Sequence, residues 1–558
     1  MTSTVIDAGD GLPLTLPALW RRQARLYADR VLLVCDDTRL RFAEADSRSR
    51  RLARGLLAAG AVKGSHVALL YPNGADFIVG LLAAARIGAV VIPLSTMSTA
   101  DELRWLLVHS DAAFLLAARQ FRSHRYDELL RTSLPELEFS RPPPLRSETA
   151  PWLRRIWFSG PLPQGSNAGW GMQDLEQLAA TIDEEYLEAV EGRVAPADRF
   201  VIIHTSGSTS SPKGVMHTHG ALIRHLDNIN QIRQYLPQDV LFSSSPWFWV
   251  AGFAFTLLGT VVAGARLVCS NAAAPADVLD LIERERPTMT NGYAPAVARL
   301  ADDPSFAMRD LSSIRRGNLY PIMPPALRPR DPDLRHSIYG MSEVGGALTM
   351  SADESDLPEH LRGSCGSILP GYEAKIVDPE TGTERPAGEV GELWVRGPFL
   401  MEGYYGKPRS QVFECDGWWR SGDLGSIDAE GFFYFKGRRG DMIKSAGANV
   451  APREVEAVLR DLTGGLQCFV LGLPDAERGQ IVAAILVSDK NLDEAALKQR
   501  LAVKLSRYKI PRRFLRISQS EVPFLSSGKV DMCKLTALFQ PRAAGGESID
   551  DGNNCERP

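Results

Sequence analysis

The sequence has few cysteines, and no two of them stand close together. The seven cysteines of the 558-residue chain are spread singly, without a C-x-x-C pair. Their odd number and wide spacing match neither a disulfide framework nor a zinc site. We therefore expect reduced thiols, as in a cytoplasmic protein.

A surplus of charge and long apolar runs are also missing. The chain has 63 Lys and Arg against 67 Asp and Glu, a net charge of −4, which argues against a nucleic-acid partner. The apolar run from Phe77 is interrupted by Arg86 and Pro93, so it is too short to span a bilayer. The first residues lack the basic segment of a secretory signal. We expect no membrane span, and a hydrophobic content of 44% is sufficient for a large core.

Helical and strand patterns alternate along the first half of the chain. Apolar residues recur with helical spacing in 47–60 and 75–88, whereas 66–72 and 89–94 have the pattern of buried strands. A second series of the same kind follows from Arg199. This alternation predicts an α/β fold whose large N-terminal domain contains doubly wound, mostly parallel sheets.

The pattern changes after Gly391. Short alternating strands, GELWVRG, GWWRSGDLG and GFFYFKG, predict a β-rich subdomain, and a helix start at APREVEAVLRDL opens another αβ series. We expect an N-terminal domain over 1–437, a small mobile α+β domain over 438–540 and a flexible tail over 541–558.

One segment, HTSGSTSSPKGVMHTH (204–219), is too rich in hydroxyls, Gly and Pro to form a regular element. A Walker-type phosphate loop fails on spacing, because Pro212 and Gly214 flank Lys213 where that motif needs Gly and Ser or Thr. A plain surface loop is one alternative. The other is a different phosphate-binding loop at the carboxyl edge of a parallel sheet.

Four later segments favour the phosphate-binding interpretation. TSGSTSSPKG is followed in order by YGMSE (339–343), SGD (421–423), GRRGDMIKSAGANVAPREVE (437–456) and SSGKV (526–530). Together they resemble the acyl-adenylate-forming, AMP-binding superfamily, most closely its acyl-CoA synthetases, over residues 15 to 535. The resemblance implies that ATP, Mg²⁺ and coenzyme A are used.

The resemblance assigns most of the nucleotide contacts to these motifs. Tyr339 is implied to stack on adenine, Asp423 to bind the ribose hydroxyls with help from Arg438, and Ser342 to contact the α-phosphate. Glu343 is implied to bind Mg²⁺, with Thr205 as a second metal-side residue. The implied phosphate loop is Thr205, Ser206, Gly207, Ser208, Thr209 and Lys213. For Lys213 and Tyr339 taken alone, a solvated lysine and a core tyrosine remain alternatives.

The C-terminal domain is implied to act in both half-reactions. Lys529 would reach the carboxylate and the α-phosphate during adenylation. The domain would then rotate, so that Lys444 and Gly447 face the pantetheine arm of coenzyme A, which passes close to a residue without Cβ. At the expected hinge the chain has Gly440 where the family usually has Asp or Lys.

Three further positions depart from the family pattern. Ser342 stands where Thr is usual, and Ser210 where Gly is usual. The segment NLYPIM (318–323) replaces a Gly-rich strand beside adenine, so the adenine contacts from that segment stay open.

Aromatic residues dominate the segment implied to line the acyl pocket, residues 244–270. No Asp or Glu lies between Asp239 and Asp277, so a substrate ammonium group would be buried without a partner. We expect an uncharged, apolar acyl group contacted by Trp249, Phe253 and Gly345. Each aromatic taken alone could equally be core.

The sequence therefore predicts an acid–thiol ligase that makes an acyl-CoA from a small-molecule carboxylic acid. One alternative is an adenylating enzyme that loads an acyl carrier protein or forms an amide. Another is a non-catalytic relative, against which the joint presence of Lys529, Glu343 and Asp423 argues.

Other motifs are weaker: the elbow-like G-M-S-E-V ends on Val344, and His217 and His219 have no nearby Cys or Glu for a metal. A monomer and a homodimer are both open.

Overall fold

The structure is a computed structural model that describes residues 11–205, 212–292, 294–441, 443–445, 448–450, 452–475, 478–489, 493–505, 509–525 and 529–539. The chain divides into two compact units, Met1–Phe435 and Lys436–Pro558. The predicted division at 437 and 438 lies two residues further along, and the predicted tail lies outside the described residues.

Helices of the described residues are numbered in chain order. They are α1 (Leu16–Leu26), α2 (Phe42–Ala58), α3 (Ala75–Arg86), α4 (Ala100–His109), α5 (Tyr126–Ser133), α6 (Met172–Leu178), α7 (Glu184–Glu191), α8 (His219–Ile232), α9 (Gly259–Ala263), α10 (Pro275–Glu285), α11 (Ala294–Ala301), α12 (Pro452–Leu462), α13 (Glu494–Lys504) and α14 (Met532–Ala537).

Strands follow the same numbering. They are β1 (Val31–Cys35), β2 (Thr38–Arg41), β3 (His66–Leu70), β4 (Val90–Pro93), β5 (Phe114–Ala118), β6 (Gln120–Phe121), β7 (His124–Arg125), β8 (Arg155–Ser159), β9 (Arg199–Thr205), β10 (Lys213–Thr218), β11 (Val240–Phe242), β12 (Arg266–Cys269), β13 (Met289–Thr290), β14 (Arg316–Gly317), β15 (Tyr339–Met341), β16 (Gly346–Met350), β17 (Ser367–Ile368), β18 (Glu373–Val377), β19 (Gly391–Arg396), β20 (Gly403–Tyr404), β21 (Trp419–Ile427), β22 (Phe433–Arg438), β23 (Ile443–Ser445), β24 (Ala448–Val450), β25 (Cys468–Asp475), β26 (Gly479–Val487) and β27 (Arg513–Ile517).

Two mostly parallel sheets form the framework of the larger unit. Their strand orders are β20-β10-β9-β4-β3-β5-β8 and β14-β13-β11-β12-β1-β2. Antiparallel pairs occur only at β20–β10, β10–β9 and β1–β2 among the described strands of these sheets. The smaller sheets β15-β16-β17 and β18-β19-β21-β22 supply the β-rich part. The predicted α/β class is confirmed.

The smaller unit has its own sheet and core. Its strand order is β24-β23-β26-β25, with β27 parallel to β26. Val455 and Leu459 of α12 and Leu501 of α13 are buried against this sheet. The unit is therefore α+β, as predicted.

The segments that periodicity assigns between residues 47 and 94 lie close to the observed helices and strands, with one difference. Strand β3 and helix α3 fall inside the predicted segments. Helix α2 begins at Phe42, not near residue 47, because Phe42 and Ala45 are buried and extend its apolar face. Its end is as predicted, since Gly60 follows with φ +92, the left-handed conformation that glycine adopts without penalty.

A π-helix over Ala251–Leu258 leads directly into α9, and the sequence interpretation missed both elements. From Gly252 to Leu258 every residue is buried, so the run shows no amphipathic period. A Cβ on Gly252 would lie 2.0 Å from the carbonyl oxygen of Pro246, so only glycine fits at the start of the π-helix. π-Helices are rare and frequently occur at functional sites.

Five cysteines in the described part of the chain, Cys35, Cys269, Cys365, Cys415 and Cys468, are free thiols. No helix in the described part of the chain is long and apolar enough to cross a membrane.

Candidate active site

A β-hairpin carries both ends of the predicted phosphate loop. Thr205 ends β9, and Lys213 begins β10 directly opposite it. The Lys213 ammonium nitrogen lies 5.0 Å from the centre of the Tyr404 ring, within the range of a cation–π interaction. The predicted residues between the two ends, Ser206, Gly207, Ser208 and Thr209, lie outside the described residues.

Tyr404 also contacts the predicted metal-binding carboxylate. Its hydroxyl donates to Oε1 of Glu343 over 2.8 Å, and the backbone oxygen of Glu343 accepts from the N–H of Met401. One tyrosine thus contacts both Lys213 and Glu343. Sequence reasoning missed Tyr404; an aromatic pair between Gly403 and Gly406 was the available signal.

The donor set at Glu343 fits Mg²⁺ bound together with phosphates. Mg²⁺ at phosphate sites is held by one or two carboxylates and otherwise by water and the phosphates themselves. Glu343 is half-buried, so its carboxylate can reach a ligand. Among the described residues, no group of three or more His, Cys, Asp or Glu could hold a metal by itself.

A second polar contact joins two of the predicted nucleotide residues. The hydroxyl of Tyr339 donates to Oδ2 of Asp423 over 2.5 Å, and Asp423 is only 4% exposed. The ring of Tyr339 packs on Phe433 and Phe435, with centres 4.7 and 5.3 Å apart. The structure thus brings Tyr339 and Asp423, 84 residues apart in sequence, into direct contact.

The S-G-D segment is a bulge inside β21 and not a turn. Opposite it, the register of β19 shifts between Glu392 and Trp394. Gly422 has φ +72, and the Ser421 hydroxyl both donates to the oxygen of Leu393 and accepts from the N–H of Asp423. Bulges of this kind change the direction of a side chain within a strand. The turn-capping role that S-G-D alone would indicate does not apply.

Ser342 lies in sequence between Tyr339 and Glu343, in the turn that follows β15. It is 9% exposed, and its backbone oxygen accepts from Nε2 of His217 over 2.7 Å. Gly345, three residues later, has φ +67. The left-handed conformation favours glycine, and a Cβ there would lie 2.8 Å from Cδ1 of Leu222, so any side chain would also require Leu222 to move.

The predicted acyl residues differ in their surroundings. Trp249 is half-buried, and its ring lies edge-on to Phe248 at 5.2 Å. Phe253 is fully buried between Phe77 and Phe200. The structure places Phe253 in the core of the unit, whereas Trp249 keeps an accessible surface.

An open cleft of about 350 Å³ lies beside the hairpin. Trp105, His109, Pro212, Lys213, Tyr404, Tyr405 and Lys407 line it. Its two lysines make it suitable for anions. His204, adjacent to Thr205, is neutral at pH 7 because burial lowers its pKa to about 3.

The remaining predicted residues belong to the smaller unit. Arg438 ends β22 and is exposed, and Lys444 lies on β23 opposite Asn449. Lys529 is exposed, and its backbone oxygen accepts from the N–H of Leu525 over 2.7 Å. Gly447 lies outside the described residues. The roles assigned to these residues stay predictions.

Comparison with known proteins gives consistent matches over nearly the whole chain. The AMP-binding enzyme family matches residues 20–405, and the AMP-binding enzyme C-terminal domain matches residues 454–529. The chain is 32% identical to the putative acyl-CoA synthetase YngI of Bacillus subtilis (strain 168), over 93% of this chain and 96% of the relative. It is 29% identical to the mitochondrial medium-chain acyl-CoA ligase ACSF2 of Rattus norvegicus, over 90% and 84%.

Solved structures agree with the fold. ATP-bound MatB from Rhodopseudomonas palustris matches with a TM-score of 0.77 at 25% identity, over 94% of this chain and 99% of that one. The predicted superfamily resemblance is confirmed, and so is the prediction of an enzyme. The chain belongs to the AMP-binding enzyme family.

Proposed function

We propose that the protein is an AMP-forming acid–CoA ligase for an apolar carboxylic acid. The carboxylate oxygen attacks the α-phosphorus of ATP, and the bond to pyrophosphate breaks. The thiol of coenzyme A then attacks the acyl carbon, AMP leaves with the carboxyl oxygen, and the thiol proton is released. Relatives named as acyl-CoA synthetases and ligases over almost their full length support this reaction.

The proposal rests on two groups of side-chain contacts in the larger unit. Lys213, Tyr404 and Glu343 form one contact group, and Tyr339 with Asp423 forms the other. Ser342 follows Tyr339 by three residues and directly precedes Glu343. A nucleotide bound by Asp423 at its ribose would have its phosphates directed toward Lys213 and Glu343.

The phosphate end must bring two anions together. Lys213 supplies positive charge, and the Tyr404 hydroxyl orients the carboxylate of Glu343. Glu343 would hold Mg²⁺ there, and the ion would supply further positive charge to the phosphates. Charges that are already oriented need no reorganisation during the reaction, which is the usual source of large rate effects.

Three residues of the smaller unit complete the proposed chemistry. Lys529 would neutralise charge at the reacting carboxylate and α-phosphate during adenylation. Lys444 and Gly447 would contact the pantetheine arm during thioester formation. Mobility of this unit between the two steps, with Gly440 near the hinge, is part of the proposal.

The acyl group is expected to be mainly apolar. Trp249 and Gly345 would contact it, whereas the deep burial of Phe253 makes stability the first property that its substitution would change. The chain has no Asp or Glu between residues 240 and 276, so a substrate ammonium group would find no carboxylate partner there.

The experiment is a two-step assay on the purified full chain. ATP–pyrophosphate exchange is measured with a panel of aliphatic and aryl acids, and then coenzyme A, an acyl carrier protein and simple amines are offered as acceptors with mass detection of the product. Acid-dependent exchange followed by acyl-CoA formation is the expected result. Exchange with transfer only to the carrier protein or to an amine would replace coenzyme A as the acceptor, and no exchange with any acid would contradict the proposal.

A further inference from the structure

Two buried histidines flank Gly345. His217 lies on β10 and His225 on α8, and both are fully buried. A Cβ built on Gly345 would lie 3.5 Å from Cε1 of His217, the ring carbon between the two nitrogens, and 3.7 Å from Cδ2 of His225. Both imidazole rings therefore border the glycine that we assign to the acyl pocket.

The hydrogen bonds of the two rings define their tautomers. Nε2 of His217 lies 2.7 Å from the backbone oxygen of Ser342, and Nε2 of His225 lies 2.8 Å from that of Ala347. A carbonyl oxygen only accepts, so each Nε2 carries the proton. Burial lowers the pKa of both rings to about 4, so they are neutral at pH 7. Each Nδ1 is then a bare acceptor.

Neither of these Nδ1 atoms has a hydrogen-bond donor in the described part of the protein. Buried polar atoms in folded proteins nearly always have a partner, so two unpartnered acceptors at one place need an explanation. His219 differs in the kind of atom left over: its Nδ1 accepts from the backbone N–H of Leu16 at 3.3 Å, so its unpartnered Nε2 is a donor and not an acceptor.

The neighbours of His225 and Gly345 are apolar or already engaged. Phe399 stacks on His225 with ring centres 5.9 Å apart, and Leu222 lies against Gly345. Tyr372 lies edge-on to His225, but its hydroxyl donates to the oxygen of Val344 over 2.9 Å. The surroundings of Gly345 thus combine unpartnered hydrogen-bond acceptors with apolar side chains. Such surroundings suit an uncharged hydrogen-bond donor of a ligand and not an ammonium group.

We propose that the acid activated by this enzyme carries an uncharged hydrogen-bond donor, a hydroxyl or an arylamine group, that donates to Nδ1 of His217 or His225. This inference rests on the proposed function and narrows its substrate class. It predicts an acyl group that is apolar over most of its surface and polar at one position.

The test compares acids that share one carbon skeleton. Each set contains the hydroxyl acid, its methyl ether and the unsubstituted acid, with the hydroxyl placed in turn at each position of benzoic, cinnamic and medium-chain alkanoic acids. A methoxy group accepts but cannot donate, so it isolates the donor. For at least one skeleton we expect kcat/KM in ATP–pyrophosphate exchange to be about 10- to 100-fold higher for the hydroxyl acid than for its ether.

Three variants locate the preference in the structure. His217→Leu and His225→Leu each remove one acceptor, and His219→Leu is the matched control because it removes an equally buried imidazole two residues from His217. We expect at least one of the first two to reduce the hydroxyl-to-ether ratio to near one. The control should keep the ratio of the wild type.

The outcomes separate this inference from the proposed function. If no acid of any set supports exchange, the proposed function fails. If acids react but the wild type shows no donor preference, or the preference is unchanged in both variants, the inference is overturned. If the variants do not fold, binding of the hydroxyl acid and its ether to the wild type with a non-hydrolysable ATP analogue is compared by calorimetry. Equal affinities at every position would then overturn it.

Discussion

The proposed nucleotide side and the proposed acyl side of the larger unit are built differently. On the nucleotide side, strands and tight turns bring specific polar pairs together, such as Tyr339 with Asp423 and Tyr404 with Glu343. On the acyl side, a π-helix and α8 present buried aromatic rings and neutral histidines. Phosphates and ribose are bound by particular hydrogen-bonding groups and charges, whereas an apolar acyl group is bound by a pocket of matching shape. The first side is therefore expected to respond to single polar changes, and the second to changes of volume.

The largest effect should come from Lys529→Ala. We expect adenylation to fall by at least about 10²–10³-fold, the usual result of removing one preorganised electrostatic group. Thioester formation from a supplied acyl-adenylate should remain close to normal, because that step does not need this charge. Single-turnover assays of each half-reaction measure the two effects.

Lys534→Ala is the matched control for Lys529→Ala. Its side chain is 71% exposed and lies five residues further along the same unit. Both half-reactions should be unaffected by this change. If Lys529→Ala loses equal activity in both half-reactions, the proposal that Lys529 serves adenylation alone is contradicted.

The acyl side should respond most to Trp249→Ala. Since the side chain is half-buried, we expect a larger pocket and a shift toward bulkier acids, by up to about 200-fold in relative kcat/KM. Competition between short and bulky acids measures it. Phe77→Ala, in the fully buried core, should lower stability by about 3–5 kcal/mol without changing the acid ranking. A Trp249 variant that behaves like Phe77→Ala would place Trp249 in the core.

The ribose contact should give a smaller effect. Asp423→Asn keeps the shape but removes the charge, and we expect KM for ATP to rise about tenfold with a lesser change in kcat, as for loss of a charge-assisted hydrogen bond. Tyr339→Phe removes the hydroxyl that donates to Asp423 and should raise KM less. An unchanged KM for ATP in steady-state kinetics of Asp423→Asn would contradict the ribose assignment.

The smallest effect concerns stability against pH. Burial lowers the pKa of His217 and His225 to about 4, below the ordinary value of 6.5. The unfolded chain therefore binds protons that the folded chain does not, so stability is present above pH 6.5 and is lost as the pH falls toward 4. Between pH 7 and 6 each histidine should lower the free energy of unfolding by about 0.7 kcal/mol. Urea denaturation at both pH values should show a smaller difference in His217→Leu, and an equal difference would mean that this ring is not buried neutral.

Features that depend on a local sequence pattern could be predicted, whereas features that depend on the pairing of distant strands could not. Period and spacing were sufficient for the α/β class, for β3 and for α3, because each depends on a local pattern of apolar residues, and the order of the motifs was sufficient for the family. Tyr404 could not be assigned, since its role arises from β20 pairing with β10, almost 190 residues earlier. The bulge at Gly422 required the register of β19, and the π-helix lay in a run that is apolar on every side. Tertiary pairing decided these features, and a single sequence does not contain the pairing.

The π-helix of Ala251–Leu258 has a consequence for protein engineering. A π-turn holds about one more residue than an α-turn, so deleting one residue within this run would restore an α-turn and leave the residues of α9 in their present orientation. Single-residue deletions across 251–258 would therefore remove the wide turn while the helix that follows stays in place. Point mutation changes which atoms a side chain presents here, whereas a deletion would change the spacing of the helical turns themselves.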